Sequence, residues 1–144
     1  MVSAMNSKLI KAVELLKERD YTCVWVKGDN FTSSRERGVK PLLKRIDGGG
    51  SLNGYYAADK VVGNGAAMLY VLLEVSELYA LVISESALAT LKNHNIPVYY
   101  DLCVTNIRNR TNTGICPMEE AVEGISSPEK ALEAIRNKLK TLNK

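Results

Sequence analysis

Leu9, Val13 and Leu16 recur at helical spacing with polar residues between them, which predicts an amphipathic helix over roughly Asn6 to Arg19. The period then shortens to two. From Tyr21 to Lys27, Tyr21, Cys23 and Trp25 alternate with Thr22, Val24 and Val26, and both sets are largely apolar, so a strand covered on both faces is expected. Gly28-Asp29-Asn30 signals a turn into an antiparallel strand around Phe31 to Ser34. Pro41 to Ile46 reads as a short helix stopped by Asp47-Gly48-Gly49-Gly50, a stretch too short to link two domains.

Small residues dominate the next segment, and the pattern predicts a helix that begins near Asp59, with Asp59 as its cap, and extends to Glu74. Leu78 to Ser84 reads as a buried strand, Ser86 to about Asn93 as a helix, and Val98 to Val104 as one or two further strands. Ser127 can cap a last helix with Pro128 in its first turn and Glu129 complementing the dipole. Ala131, Leu132, Ile135, Leu139 and Leu142 supply its buried stripe. Strands alternating with helices of these lengths predict an α/β fold, a three-layer α-β-α sandwich with a mixed sheet and helices on both faces.

At 144 residues and 46% apolar content the chain can bury one core, so residues 1–144 are expected to form a single domain. Cys23, Cys103 and Cys116 are odd in number and irregularly spaced, which argues against a disulfide framework and for a reduced, cytoplasmic setting. Charged residues from Lys8 to Arg19 interrupt the N-terminal apolar positions, so no secretion signal is expected there. Met68 to Leu73, the longest uncharged apolar run, is too short for a bilayer. A net charge of +3 with interleaved signs neither demands nor excludes nucleic acid.

The expected element order resembles that of the cytidine-deaminase-like superfamily, and the segments Asp59-Lys60-Val61-Val62-Gly63, Leu81-Val82-Ile83-Ser84, Asn109-Arg110 and Cys116-Pro117-Met118-Glu119 carry a likeness to one family within it. Within that superfamily the chain, from about Val24 to Val122, is similar to a small domain-of-unknown-function family. The zinc deaminases of the superfamily carry H-x-E at a helix start and P-C-x-x-C at a turn. Here Ala58-Asp59-Lys60 and Ser84-Glu85-Ser86-Ala87 stand instead, without a thiolate or imidazole at either place. His94, the sole histidine, lies at the far end of the following helix and reads as a solvated or capping residue. Zinc chemistry is therefore not carried over, and no metal or other cofactor is expected.

Several residues nevertheless have chemistry to offer. A lysine in the first helical turn opposes the macrodipole, so Lys60 beside Asp59 suggests a ligand anion as its partner. Gly63 and Gly65 weaken a helix and fit either close packing or close approach of a ligand. With Cys116 at the N-cap and Pro117 at the first position, Glu119 could complete a capping box, and the same geometry would lower the thiol pKa. Thr105 to Asn112, with Arg108, Asn109 and Arg110, is dense in groups that recognise phosphate or carboxylate, and equally reads as a solvated loop. Ser33 to Lys40 reads more simply as an exposed connection. Ser84 and Ser86 lie at a strand's carboxyl end, where α/β sheets bind ligands, or else cap the next helix.

These readings combine into a metal-free pocket lined by Asp59, Lys60, Ser84, Asn109, Arg110, Cys116 and Glu119, binding or acting on a small anionic or nucleotide-like molecule. Were it catalytic, Cys116 would be the nucleophile, Asp59 or Glu119 the acid/base, and Lys60 with Arg110 the anion stabilisers. A non-catalytic ligand sensor or assembly module is the alternative, and a homo-oligomer is compatible with both. Nucleic-acid binding through Arg35, Arg37, Lys40, Lys44, Arg108 and Arg110 is a weaker third reading, because no row of stacking aromatics accompanies them. No membrane partner is expected.

Overall fold

The structure, a computed structural model, describes residues 5–109 and 111–142. Its elements in chain order are α1 (Ser7–Glu18), β1 (Cys23–Lys27), β2 (Asn30–Ser34), α2 (Lys40–Asp47), β3 (Tyr56–Val62), α3 (Asn64–Leu72), β4 (Glu77–Ser84), α4 (Glu85–Asn93), β5 (Val98–Val104), α5 (Pro117–Ala121) and α6 (Pro128–Leu142). The five strands form one mixed sheet in the order β2-β1-β3-β4-β5. β1 runs antiparallel to both neighbours, while β3, β4 and β5 are parallel. Gly28, with φ of +60°, occupies the first position of the two-residue turn that joins β1 to β2, a conformation glycine adopts without steric cost.

Two apolar clusters sit on opposite sides of the sheet. Asn6 Oδ1 accepts the Lys8 N–H at 2.8 Å and starts α1, whose Leu9, Ala12, Val13 and Leu16 pack with Val24, Val26, Ala58 and Tyr79. The alternate strand residues Cys23, Trp25, Ala57, Leu78 and Ala80 join the second cluster, with Leu42 and Leu43 of α2, the buried run Gly65–Tyr70 of α3, and Leu91 of α4. α6 adds Ala131 and Ile135 to that side and packs against α3. Among the described residues no helix is long and apolar enough to cross a membrane.

One element departs from the sequence reading. Asp59 does not cap a helix running to Glu74; it lies within β3, paired with Cys23 of β1 and Ala80 of β4, and α3 starts only at Asn64. The β-branched pair Val61-Val62 suits the strand, and Gly63 forms the N-cap with extended φ and ψ of −90° and 175°. Ala57 and Ala58 are both fully buried, one on each side, so this central strand carries no polar alternation to reveal it.

Candidate functional site

The hairpin places Ser34 opposite Cys23 and Thr32 opposite Trp25, while on the other flank of β1 Asp59 stands opposite Cys23. α3 carries the fully buried Tyr70 onto this group. The Tyr70 hydroxyl donates to Asp59 Oδ2 at 2.7 Å and accepts from Trp25 Nε1 at 3.3 Å. A chain of hydrogen bonds thus runs from the indole of β1 through the phenol of α3 to the carboxyl of β3.

Burial dominates the electrostatics of this cluster. It pushes the Asp59 carboxyl from its ordinary 3.8 up to about 7, against the opposing hydrogen bonds from Tyr70 and from the Val61 and Lys60 amides. Burial, followed by the neighbouring carboxylates of Asp59 and Glu36, drives the Cys23 thiol far above its ordinary range. The Tyr70 phenol is raised by burial and then by the Asp59 charge. Thiol and phenol keep their protons at neutral pH, and Asp59 is the member of the cluster that changes charge there.

A cavity of about 300 Å³ opens beside this cluster between α2 and the hairpin, with Cys23, Trp25, Thr32, Ser34, Lys44 and Arg45 among its lining. Lys44 Nζ meets Glu36 Oε1 at 2.8 Å and Lys40 reaches Glu36 Oε2 at 3.9 Å, and the Lys44 hydrogen bond holds the Glu36 carboxyl below its usual value. The Arg45 guanidinium lies 5.8 Å from the Trp25 ring centre and 5.0 Å from that of Tyr55, and its Nε donates to the Ser51 carbonyl at 3.0 Å.

The residues singled out from sequence do not converge on that cavity. Asp59 and Lys60 are successive strand residues and point to opposite faces. Lys60 Nζ lies 3.4 Å from Asp20 Oδ1, beside a second concavity of about 520 Å³ at the end of α1 that also involves Lys17 and Leu81. Ser84 is fully buried and caps α4, its Oγ accepting the Ala87 N–H at 3.2 Å. Asn109 closes its own loop: Oδ1 accepts the Thr113 N–H at 2.9 Å and Nδ2 donates to Thr113 Oγ1 at 3.2 Å. Arg110 lies outside the described residues.

Cys116 does occupy the N-cap of α5, but the capping box with Glu119 does not form. The Cys116 N–H donates to the Ile107 carbonyl at 2.8 Å, and its sulfur makes no capping hydrogen bond. Glu119, only 8% exposed, turns instead onto α3: its Cγ and Oε1 lie 2.9 Å from where a Cβ on Gly63 would stand. A Cβ on Gly65 would meet the Met118 carbonyl at 3.2 Å and Ile135 Cδ1 at 3.4 Å. Close helix packing therefore accounts for both glycines. His94 ends α4, with Nδ1 2.9 Å from the Thr90 carbonyl oxygen. Among the described residues no three His, Cys, Asp or Glu side chains converge as a metal site.

Cys23, Trp25, Tyr70 and Arg45 were not among the sequence candidates, and Lys44 was named there only for nucleic acid. The signal available for two of them was the alternation in β1, which already put Cys23 and Trp25 on one face beside a hairpin partner rich in hydroxyls.

The fold and its sites define a single-sheet mixed α/β protein with a polar cluster buried under a small open cleft. The chain belongs to the family described as domain of unknown function DUF1893 (TM1506), whose model matches residues 11–139. It is similar to the crystal structure of a DUF1893 family protein (TM1506) from Thermotoga maritima, with a TM-score of 0.83 and 25% identity over 96% of this chain and 92% of that one. No curated protein matches the chain.

Proposed function

We propose that this protein binds a small anionic molecule in the cleft between α2 and the β1–β2 hairpin. The carrying observation is the lining: Lys44 and Arg45 outnumber the single carboxylate of Glu36, hydroxyls of Thr32 and Ser34 stand opposite, and the Trp25 and Cys23 side chains form an apolar floor. At about 300 Å³ the cavity is at the lower end of the range for ligand pockets, which suits a metabolite-sized occupant rather than a polymer. The protonated Cys23 thiol favours binding over thiolate chemistry. Of the basic residues named for nucleic acid, Lys40 lies 3.9 Å from Glu36 and Arg35 is stacked 4.7 Å over Tyr21. The order of helix, hairpin, helix and alternating strands and helices supports placing the family within the cytidine-deaminase-like superfamily.

Thermal unfolding in the presence of sulfate, pyrophosphate, AMP and CMP tests the reading. At least one of these anions should raise the melting temperature, and a Lys44→Ala/Arg45→Ala variant should lose that gain. Stabilisation that survives in the variant, or none with any of the four, overturns it.

A further inference from the structure

We propose that the cleft takes up its anion together with a proton, which the Asp59 carboxylate accepts, the two events being coupled by the like charges of anion and carboxylate on either side of the cleft floor. The inference rests on the cleft reading above and specifies how that site is regulated.

The connection is physical. Trp25 and Cys23 both line the cleft, and both touch the Asp59 cluster: Cys23 as its strand partner, Trp25 through the Tyr70 hydroxyl. An anion above the floor and an ionised Asp59 below it are like charges separated by buried side chains, where screening by water is weak. Each therefore weakens the other, and removing the Asp59 charge by protonation strengthens the anion. Reciprocity then requires that the anion raise the affinity of Asp59 for its proton.

The groups facing Asp59 leave it as the one that titrates near neutrality. β1 contributes Cys23 and α3 contributes Tyr70, both held protonated by burial, and β4 contributes Ala80. The Lys60 side chain lies on the opposite face with Asp20. Across the cleft stand Glu36, Lys44 and Arg45, of which Glu36 is held ionised by Lys44. Burial places the Asp59 carboxyl at about 7, inside the range where a modest pH change alters its charge.

Inorganic sulfate is a suitable probe because it remains a dianion across the pH range in question. Trp25, the single tryptophan, reports from the cleft floor. Sulfate titrated into the full-length protein and followed by Trp25 emission should bind roughly fivefold more tightly at about pH 6 than at about pH 8. Asp59→Asn should bind with one affinity at both. Tyr70→Phe removes a hydrogen bond that holds the Asp59 carboxyl down, so its affinity change should persist with a midpoint moved to higher pH, and this variant carries the test if Asp59→Asn fails to fold. Equal affinity at both pH values in the unmodified protein overturns the coupling and leaves the cleft reading standing. A pH dependence that survives in Asp59→Asn, or an unmoved midpoint in Tyr70→Phe, also overturns it. Absence of sulfate binding at both pH values, by emission and by melting temperature, overturns the coupling, and the cleft reading falls with it when pyrophosphate, AMP and CMP also give no stabilisation.

Discussion

At the carboxyl ends of β3 and β4, Ser84 caps α4 and Glu119 packs against Gly63, whereas on the β1 face Cys23 and Trp25 line an open cleft above Tyr70 and Asp59, and Asp59 can change its charge. Both regions gather polar groups around the same central strands. The strand ends attract them for two separate reasons, since helix N-termini there need caps as much as ligands need donors. In this protein one cap, from Ser84, and one packing contact, from Glu119, account for the strand-end set. What distinguishes the other region is a titratable group displaced toward neutrality beside a cavity.

The largest expected effect falls within the β1-face cluster. Tyr70→Ala removes a fully buried ring and strips Asp59 of its donor, and should lower unfolding stability by about 3–5 kcal/mol in urea titrations. A loss below about 1 kcal/mol would mean that the cluster is not part of the core. At the strand ends, Gly63→Ala should cost about 1–3 kcal/mol, because its Cβ would press on Glu119. In a Glu119→Ala background the same substitution should become nearly neutral; an unchanged cost there would show that Glu119 is not what forbids a side chain. The smallest contrast compares two predicted site residues. Ser84→Ala should cost about 1 kcal/mol through the lost cap. Cys116→Ala should stay within about 0.5 kcal/mol and leave stabilisation by anions unaltered, since its sulfur neither caps α5 nor lines the cleft.

Much of the architecture can be read from short-range pattern. The α1 stripe, the β1 alternation, the Gly28 turn, the Ser127 cap and the α4 and α6 segments are set by neighbours a few residues apart, and they stand where expected. β3 was hidden because its packing on both faces left two alanines and an aspartate in place of an alternating pattern, and Asp59 before a glycine-rich helix looked like a cap. The cleft was harder still to foresee. Cys23 acquires Asp59 and Ser34 through strand pairing, and Asp59 acquires Tyr70 only once α3 folds over the sheet. No local periodicity encodes such a meeting. Conversely, Glu119 was noticed in sequence for a capping role, and its actual position depends on the missing side chain of Gly63, a complementarity visible only in three dimensions.

The two sides of the sheet also differ in when they can be completed. The layer of α2, α3 and α4 is interleaved with the strands it covers, so each helix emerges from the ribosome close in time to its own partners. α1 is synthesised ahead of Val24, Val26, Ala58 and Tyr79, and has to wait for the sheet before its apolar stripe finds a seat. During elongation that stripe stays uncovered until β1, β3 and β4 have been made.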